Sequence, residues 1–292
     1  MIYLIGIDIG GTNIKYGYFS LNGELLSSYK IPTPAENVLK NIVKFFNENF
    51  SLQDCQGIAI GVPGIIVNNQ LIRRPNNINC PLNLLEELQS LIPSSIPLYF
   101  INDANLAAYG EFFHNERRQS SAVMITLGTG VGGGIIINKQ LIEGRAGKAG
   151  EIGHIVAPTN HKTVCGCGEF NHLESYIGSK QLILRYEKLT KQTHQSIASI
   201  VEALKNKDSS AELVFNYLVK KLIYLIKTLD TILNPEIFII GGGVAEAFSE
   251  QLLPALQKFL DPSIDVCLAK LKNQAALYGA YYYLKYQLNH GV

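Results

Sequence analysis

The sequence predicts an α/β protein of two lobes, each opening on a β-hairpin. Apolar strand-like runs alternate with helical segments along the chain. A strand, a glycine turn and a returning strand occur twice, from Leu4 to Phe19 and again from Ala122 to Asn138. The length, 292 residues, is comfortable for two domains with a sizeable core and a cleft.

The elements follow in order. Tyr3 to Ile9 and Ile14 to Ser20 read as paired strands, and Glu24 to Lys30 as a third after the turn Leu21-Asn22-Gly23. A helix is expected near Ala35 to Phe50, then apolar strands at Gly57 to Gly61 and Pro97 to Ile101. In the second half Ala122 to Leu127 is a strand, Gly128 to Gly134 a glycine turn, Ile135 to Asn138 a returning strand and Lys139 to Ile142 a third. Asn171 to Leu233 is mostly helical, with Leu213, Tyr217, Val219, Leu222, Ile223, Ile226 and Leu229 as its core stripe. Strand Ile237 to Ile240 leads through Gly241-Gly242-Gly243 to a helix from Ala245. A final helix, Ala275 to Leu288, carries a tyrosine cluster that reads as packing or an oligomer face.

Composition excludes several roles. Lys and Arg total 25 against 24 Asp and Glu, with no basic run, which argues against a nucleic-acid partner. No apolar stretch reaches the roughly 18 residues of a membrane span, and the N-terminus lacks a secretory pattern, so no membrane partner and a cytoplasmic location are expected. Five cysteines, an odd number that includes one C-x-C pair, point to reduced thiols available to a metal.

The run from Asp8 to Lys15 carries the strongest chemical signal. Gly10 and Gly11 let backbone N–H groups approach anionic oxygens, Thr12 adds a hydroxyl, and Asp8 can hold Mg²⁺ directly or through water. The chain then returns as a strand, so the run is a phosphate-binding hairpin and neither a P-loop nor a Rossmann turn. Read alone, it also fits a plain hairpin connection, as Gly241-Gly242-Gly243 fits a tight strand-to-helix connection. Two glycine hairpins facing each other would grip a polyphosphate from both sides. A second constellation is His154, Cys165, Cys167 and His172: two thiolates one residue apart, flanked by imidazoles, suit tetrahedral Zn²⁺, with His161 a competing ligand.

These motifs, in this order, resemble the ROK family of bacterial sugar kinases and related repressors, within the actin, heat-shock protein and hexokinase superfamily. The resemblance runs over essentially the whole chain, through Asp8-Ile-Gly-Gly-Thr12, Gly61-Val-Pro-Gly64, Asn102-Asp103-Ala-Asn105, Leu127 to Gly134, Glu151-Ile-Gly-His154, Cys165-Gly-Cys-Gly168, Glu174 and Gly241-Gly-Gly243. Family repressors carry a helix-turn-helix domain before the first phosphate turn. Here that turn begins at residue 8, which favours the kinase branch.

The resemblance implies two RNase H-like lobes, a small one of residues 1–116 with the C-terminal helix about 280–292, and a large one of 117–279 bearing the zinc loop and nucleotide site. The lobes are expected to close on MgATP and a hexose. It implies that Asp103 takes the proton from the C6 hydroxyl, although Asn102-Asp103 also suits a helix cap. Asn76, Asn102, Asp103, Glu151, His154 and Glu174 fall on the sugar. ATP falls on Asp8, Gly10, Gly11, Thr12, Lys15, Gly128, Thr129, Gly130, Gly132, Gly133, Gly241, Gly242 and Gly243. The family's metal pattern is His followed by C-x-C-G-x-x-G-C-x-E, from which this chain departs with Asn171 at the second glycine and His172 at the third cysteine. The zinc ligands therefore become Cys2His2, and the metal is structural, tying the loop of His154 to that of Glu174. Glucose is the leading substrate. N-acetylmannosamine, N-acetylglucosamine and fructose are the alternatives, and a non-catalytic sugar-sensing regulator is the rival from another class. A homodimer is expected.

Overall fold

The computed structural model describes residues 2–49, 52–73, 78–114, 119–159 and 162–290. Two compact units emerge, one of Met1–Arg118, Leu141–Ala149 and Asn273–Val292, the other of Gln119–Gln140 and Gly150–Lys272.

The first unit holds β1 (Tyr3–Ile9), β2 (Asn13–Ser20), β3 (Leu25–Pro32), α1 (Val38–Asn49), β4 (Cys55–Val62), β5 (Ile65–Val67), β6 (Gln70–Arg73), α2 (Leu84–Gln89), β7 (Leu98–Asn102) and α3 (Asp103–His114). Its main sheet has the order β3-β2-β1-β4-β7, antiparallel through β1, β2 and β3 and parallel from β1 through β4 to β7. Strand β1 is apolar on both faces because both faces are covered. Ile5, Ile7 and Ile9 join the core with α1 and α2, whereas Leu4 joins a second core with Phe19, Leu106 and Leu277. Helix α1 starts three residues later than expected, because Asn37 Oδ1 accepts from the N–H groups of Leu39 and Lys40 as an N-cap.

The second unit repeats this plan. It comprises β8 (Ala122–Leu127), β9 (Val131–Ile137), β10 (Gln140–Leu141), α4 (Glu174–Ile177), α5 (Ser179–Thr190), α6 (Ile197–Lys205), α7 (Ser209–Leu233), β11 (Phe238–Gly241), α8 (Gly243–Ala247), α9 (Ser249–Gln257) and β12 (Val266–Leu268). Its sheet runs β10-β9-β8-β11-β12, the same order by position as the first sheet. Strand β8 pairs antiparallel with β9 and parallel with β11. The glycine turn is shorter than the sequence suggested: Gly132, Gly133 and Gly134 lie within β9, opposite Thr126, Ile125 and Met124. Asn138 and Lys139, expected in strands, form the turn between β9 and β10, both with positive φ. The long helical stretch divides into α4 to α7. The buried stripe of α7 runs through Val214, Leu218, Leu222, Leu225 and Leu229, and Leu213, expected in the core, is exposed.

After the second unit the chain returns to the first as α10 (Ala275–His290). Helices α3 and α10 cross backbone to backbone. A Cβ on Gly110 would stand 2.0 Å from the Ala275 carbonyl oxygen, and one on Gly279 would stand 1.8 Å from that of Leu106. The expected tyrosine cluster packs inward here, with Tyr278 and Tyr281 against Phe19 and Tyr283 against Tyr99.

Candidate functional site

In the first unit, β1 delivers Asp8 to the mouth of the glycine hairpin. Gly10 N–H donates to the Asn13 carbonyl at 2.9 Å and closes the turn, and Thr33 braces it from outside, its hydroxyl on the Gly10 carbonyl at 2.6 Å and its N–H on that of Thr12. The two glycines differ. A Cβ on Gly10 would press on the Asn13 carbonyl at 2.9 Å, whereas one on Gly11 would meet nothing within 4 Å, so Gly11 faces open space. Asp8 is ion-paired with Lys15 at 2.8 Å, directly opposite it in the β1–β2 ladder. The hairpin, with Gly10, Gly11, Thr12 and Lys15, lines a cavity of about 480 Å³.

Across β1, β4 and β7 the register aligns Asp8 with Gly61 and Gly61 with Ile101, so Asn102 and Asp103 follow one and two residues beyond the level of Asp8 at the same sheet edge. Functional groups collect at such carboxyl ends of parallel strands. The cap anticipated for the pair belongs to Asn102, whose Oδ1 accepts from the Asn105 N–H at 3.0 Å while its amide donates to the Gly64 carbonyl at 3.0 Å. Each end of that amide keeps further capacity. Asp103 opens α3, and its Oδ1 accepts from the Ala104 N–H at 2.9 Å. A Cβ on Gly61 would press on the Leu106 side chain at 3.2 Å and make ordinary contact with the Asp103 Cα at 3.5 Å.

In the second unit the turn Gly128-Thr129-Gly130 is closed by Gly128 N–H on the Gly130 carbonyl. Gly128 faces open space, whereas a Cβ on Gly130 would stand 2.1 Å from Glu174 Oε2. That carboxylate oxygen accepts from the Val131 N–H at 2.9 Å. Glu151 precedes and His154 ends a short 3-10 turn, Ile152–His154, with His154 Nδ1 3.2 Å from Glu151 Oε2. The turn sits hard against β9, because a Cβ on Gly153 would be 1.9 Å from the Val131 carbonyl and one on Gly133 would strike the Ile152 side chain at 2.4 Å. Gly133 is therefore occupied in packing. The third glycine turn divides likewise: Gly241 packs on Ala269, Gly242 has φ near 90° and abuts the Leu127 carbonyl, and Gly243 is open.

His154, Cys165, Cys167 and His172 come together, each offering a ligand atom within 4.8 Å of the others. Cys167 Sγ is 3.2 Å from His172 Nδ1, and the two imidazoles stack at 4.6 Å. Tetrahedral zinc with N and S ligands sets its donors about 3.3–3.8 Å apart, so this donor set fits zinc after a small contraction. Ladder contacts hold the loop, with Val156 opposite His172 and Val164 opposite Phe170. Asn171 has φ of 62°, the left-handed conformation that asparagine tolerates better than other side chains, which accounts for asparagine at a glycine position. Its Oδ1 accepts from the Thr163 N–H and the Tyr176 hydroxyl. Cys165 Sγ lies 3.7 Å from Glu174 Oε1, and burial pushes its thiol up to about 11.

Asn76 and His161 lie outside the described residues. The bracing by Thr33 was not anticipated, since it forms no recognisable pattern with the turn it holds, and Gly64, part of the motif Gly61-Val-Pro-Gly64, was not expected to contact Asn102. Asn171 was visible as an odd residue at a glycine position.

Comparisons with known proteins show which family the chain belongs to. A model of the ROK family matches residues 4–287. The glucokinase of Halalkalibacterium halodurans is 30% identical, with 98% of this chain and 96% of that protein covered. The N-acetylmannosamine kinase of Haemophilus influenzae is 32% identical over 96% of this chain and 95% of that protein. Among solved structures, a ROK family glucokinase from Streptomyces griseus in complex with glucose and AMPPNP matches with a TM-score of 0.79 at 28% identity, covering 96% of this chain and 98% of that one.

Proposed function

We propose that this chain, which belongs to the ROK family, is an ATP-dependent kinase that phosphorylates the 6-hydroxyl of a hexose, with glucose the favoured substrate. The observation that carries the reading is Asp103: a carboxylate fixed at the carboxyl end of β7 by the Ala104 N–H, behind an asparagine that already caps the helix. A neutral alcohol attacks phosphorus poorly, so a positioned base that accepts its proton is what the reaction needs. Asp103 serves as that base.

Asn76, Asn102, Glu151, His154 and Glu174 pair with the sugar hydroxyls. The phosphates of ATP lie along the open backbone of Gly11, Gly128 and Gly243, aided by Thr12, Lys15 and Thr129, while Gly10, Gly130, Gly241 and Gly242 shape those turns and Gly132 and Gly133 belong to the strand that follows the second of them. Mg²⁺, reached from Asp8, supplies charge neutralisation to the transferring phosphoryl group. Lys15 holds the Asp8 carboxylate in place from the neighbouring strand. Zinc on His154, Cys165, Cys167 and His172 is structural and orients His154 and Glu174 together.

The N-acetylmannosamine kinase relative, as similar as the glucokinase, supports an N-acetylhexosamine as the second reading. Purified protein with MgATP and a panel of glucose, mannose, fructose, N-acetylglucosamine and N-acetylmannosamine, followed by ADP release, decides between them. Sugar-dependent ADP release with glucose preferred is expected. Preference for an N-acetylhexosamine would replace the substrate, and no ADP with any sugar would overturn the kinase reading in favour of a sugar-sensing regulator.

A further inference from the structure

Within the second unit, α5 and α7 border a cavity of about 660 Å³ that none of the sugar, ATP or metal residues named above lines. Tyr176 and Tyr217 line it together with Arg185, Lys188 and Lys221. The Arg185 guanidinium lies over the Tyr217 ring at 3.6 Å, and Lys221 Nζ is 5.1 Å from the centre of the Tyr176 ring and donates to the Pro158 carbonyl at 3.0 Å. Among the described residues no carboxylate lies within 4.0 Å of any of these cations. Burial, then the neighbouring charges of Lys220 and Arg185, hold Lys221 below the ordinary lysine value. A dianion suits this lining better than a carboxylate does, because Arg185, Lys188 and Lys221 border one cavity with no carboxylate within 4.0 Å of them among the described residues. The aromatic faces beside them offer a surface for a ring.

We propose that this cavity binds a small phosphate ester of a hydroxylated ring, with Arg185, Lys188 and Lys221 on the phosphate and the tyrosines against the ring. A hexose phosphate is the product of the proposed reaction, and the inference rests on that reading only for the choice of probe. Occupancy adjoins the metal loop, since the Tyr176 hydroxyl donates to Asn171 Oδ1 and Ser175 Oγ to the His172 carbonyl. A ligand that orders Tyr176 thereby steadies the segment carrying His172 and Glu174.

Calorimetric titration of the full chain with glucose 6-phosphate, in low salt and without nucleotide, tests this, with glucose and inorganic phosphate as separate arms. Saturable binding of the ester, tighter than of either fragment and weakened by added salt, is expected. Arg185→Gln and Lys188→Gln, both at exposed positions, should each weaken it about tenfold, whereas Lys180→Gln, an equal loss of charge at an exposed position of α5 outside the cavity lining, should leave it unchanged. Absence of saturable binding, or saturable binding that Arg185→Gln and Lys188→Gln weaken no more than Lys180→Gln does, would overturn the proposal. So would a dimer that Arg185→Gln dissociates in a protein that takes up no ester, since the cavity would then be an interface between copies. Because turnover is not the readout, failure of the kinase reading leaves the result interpretable.

Discussion

Glu174 rests on Gly130. The carboxylate oxygen that accepts from the Val131 N–H occupies the space a Cβ on residue 130 would need, 2.1 Å away. The obstacle is the end of a flexible side chain, so Gly130→Ala should fold normally while pushing Glu174 from its place. Its sugar KM should rise about tenfold or more, in line with the cost of a small misplacement of a binding group. Gly153→Ala, which meets the Val131 backbone instead, should lower the melting temperature clearly. An unchanged KM in a folded Gly130→Ala would detach Glu174 from sugar binding.

Asp103→Asn keeps an acceptor for the Ala104 N–H and nearly the same volume, yet cannot take a proton. Turnover should fall by about a hundredfold or more with little change in sugar affinity. Steady-state kinetics beside direct sugar titration separate the two, and near-normal turnover would remove Asp103 from the base role.

Metal analysis of untagged protein should find about one zinc per chain, lost in Cys167→Ser. That variant should weaken sugar binding more than nucleotide binding, because the loop it loosens carries His154 and Glu174. Full zinc in Cys167→Ser, or a metal-free protein with unimpaired turnover, would reject the ligand set and its role.

Glu236 ties the start of β8 to the approach to β11 by accepting from the Ser120 and Ser121 N–H groups and the Ser120 hydroxyl. Those bonds, that of the Ser120 N–H foremost, hold its carboxyl below the ordinary value of 4.5. A depressed folded value contributes stability that is present above 4.5 and lost as pH falls through the folded value. Glu236→Gln should therefore lower the denaturation midpoint at neutral pH, with the gap from the wild type closing on acidification. A gap that stays constant from pH 7 to pH 3 would refute the assignment.

The glycine motifs marked where backbone turns, and the duplicated strand, turn and strand pattern marked two sheets of one topology. The hairpin of β5 and β6 went unseen although Asn68-Asn69, both at positive φ, is a strong turn signal, because its strands are too short to show alternation. What sequence could not supply was which glycines are open. Gly11 and Gly10 look alike in the chain and differ only in what stands beside them, as do Gly128 and Gly130. The metal ligands were legible as residue types at fixed spacing, whereas the contacts of Glu174 with Gly130 and Cys165 depend on how two distant segments pack.

Helix α10 also sets a schedule. It supplies Leu277, Ala280 and Leu284 to the core that covers Leu4 and Phe19, and its Tyr281 and Lys285 both donate to the Leu21 carbonyl across about 260 residues of chain. On a ribosome those partners emerge long before their cover does, since chains are made at about 5–20 residues per second and domains otherwise fold N-terminal first. The second unit, whose segments all precede α10, can finish while the first still exposes an apolar sheet face. This protein is born with one face of its opening sheet unsheltered for many seconds, an interval in which a chaperone or a neighbouring nascent chain competes with α10 for the same surface.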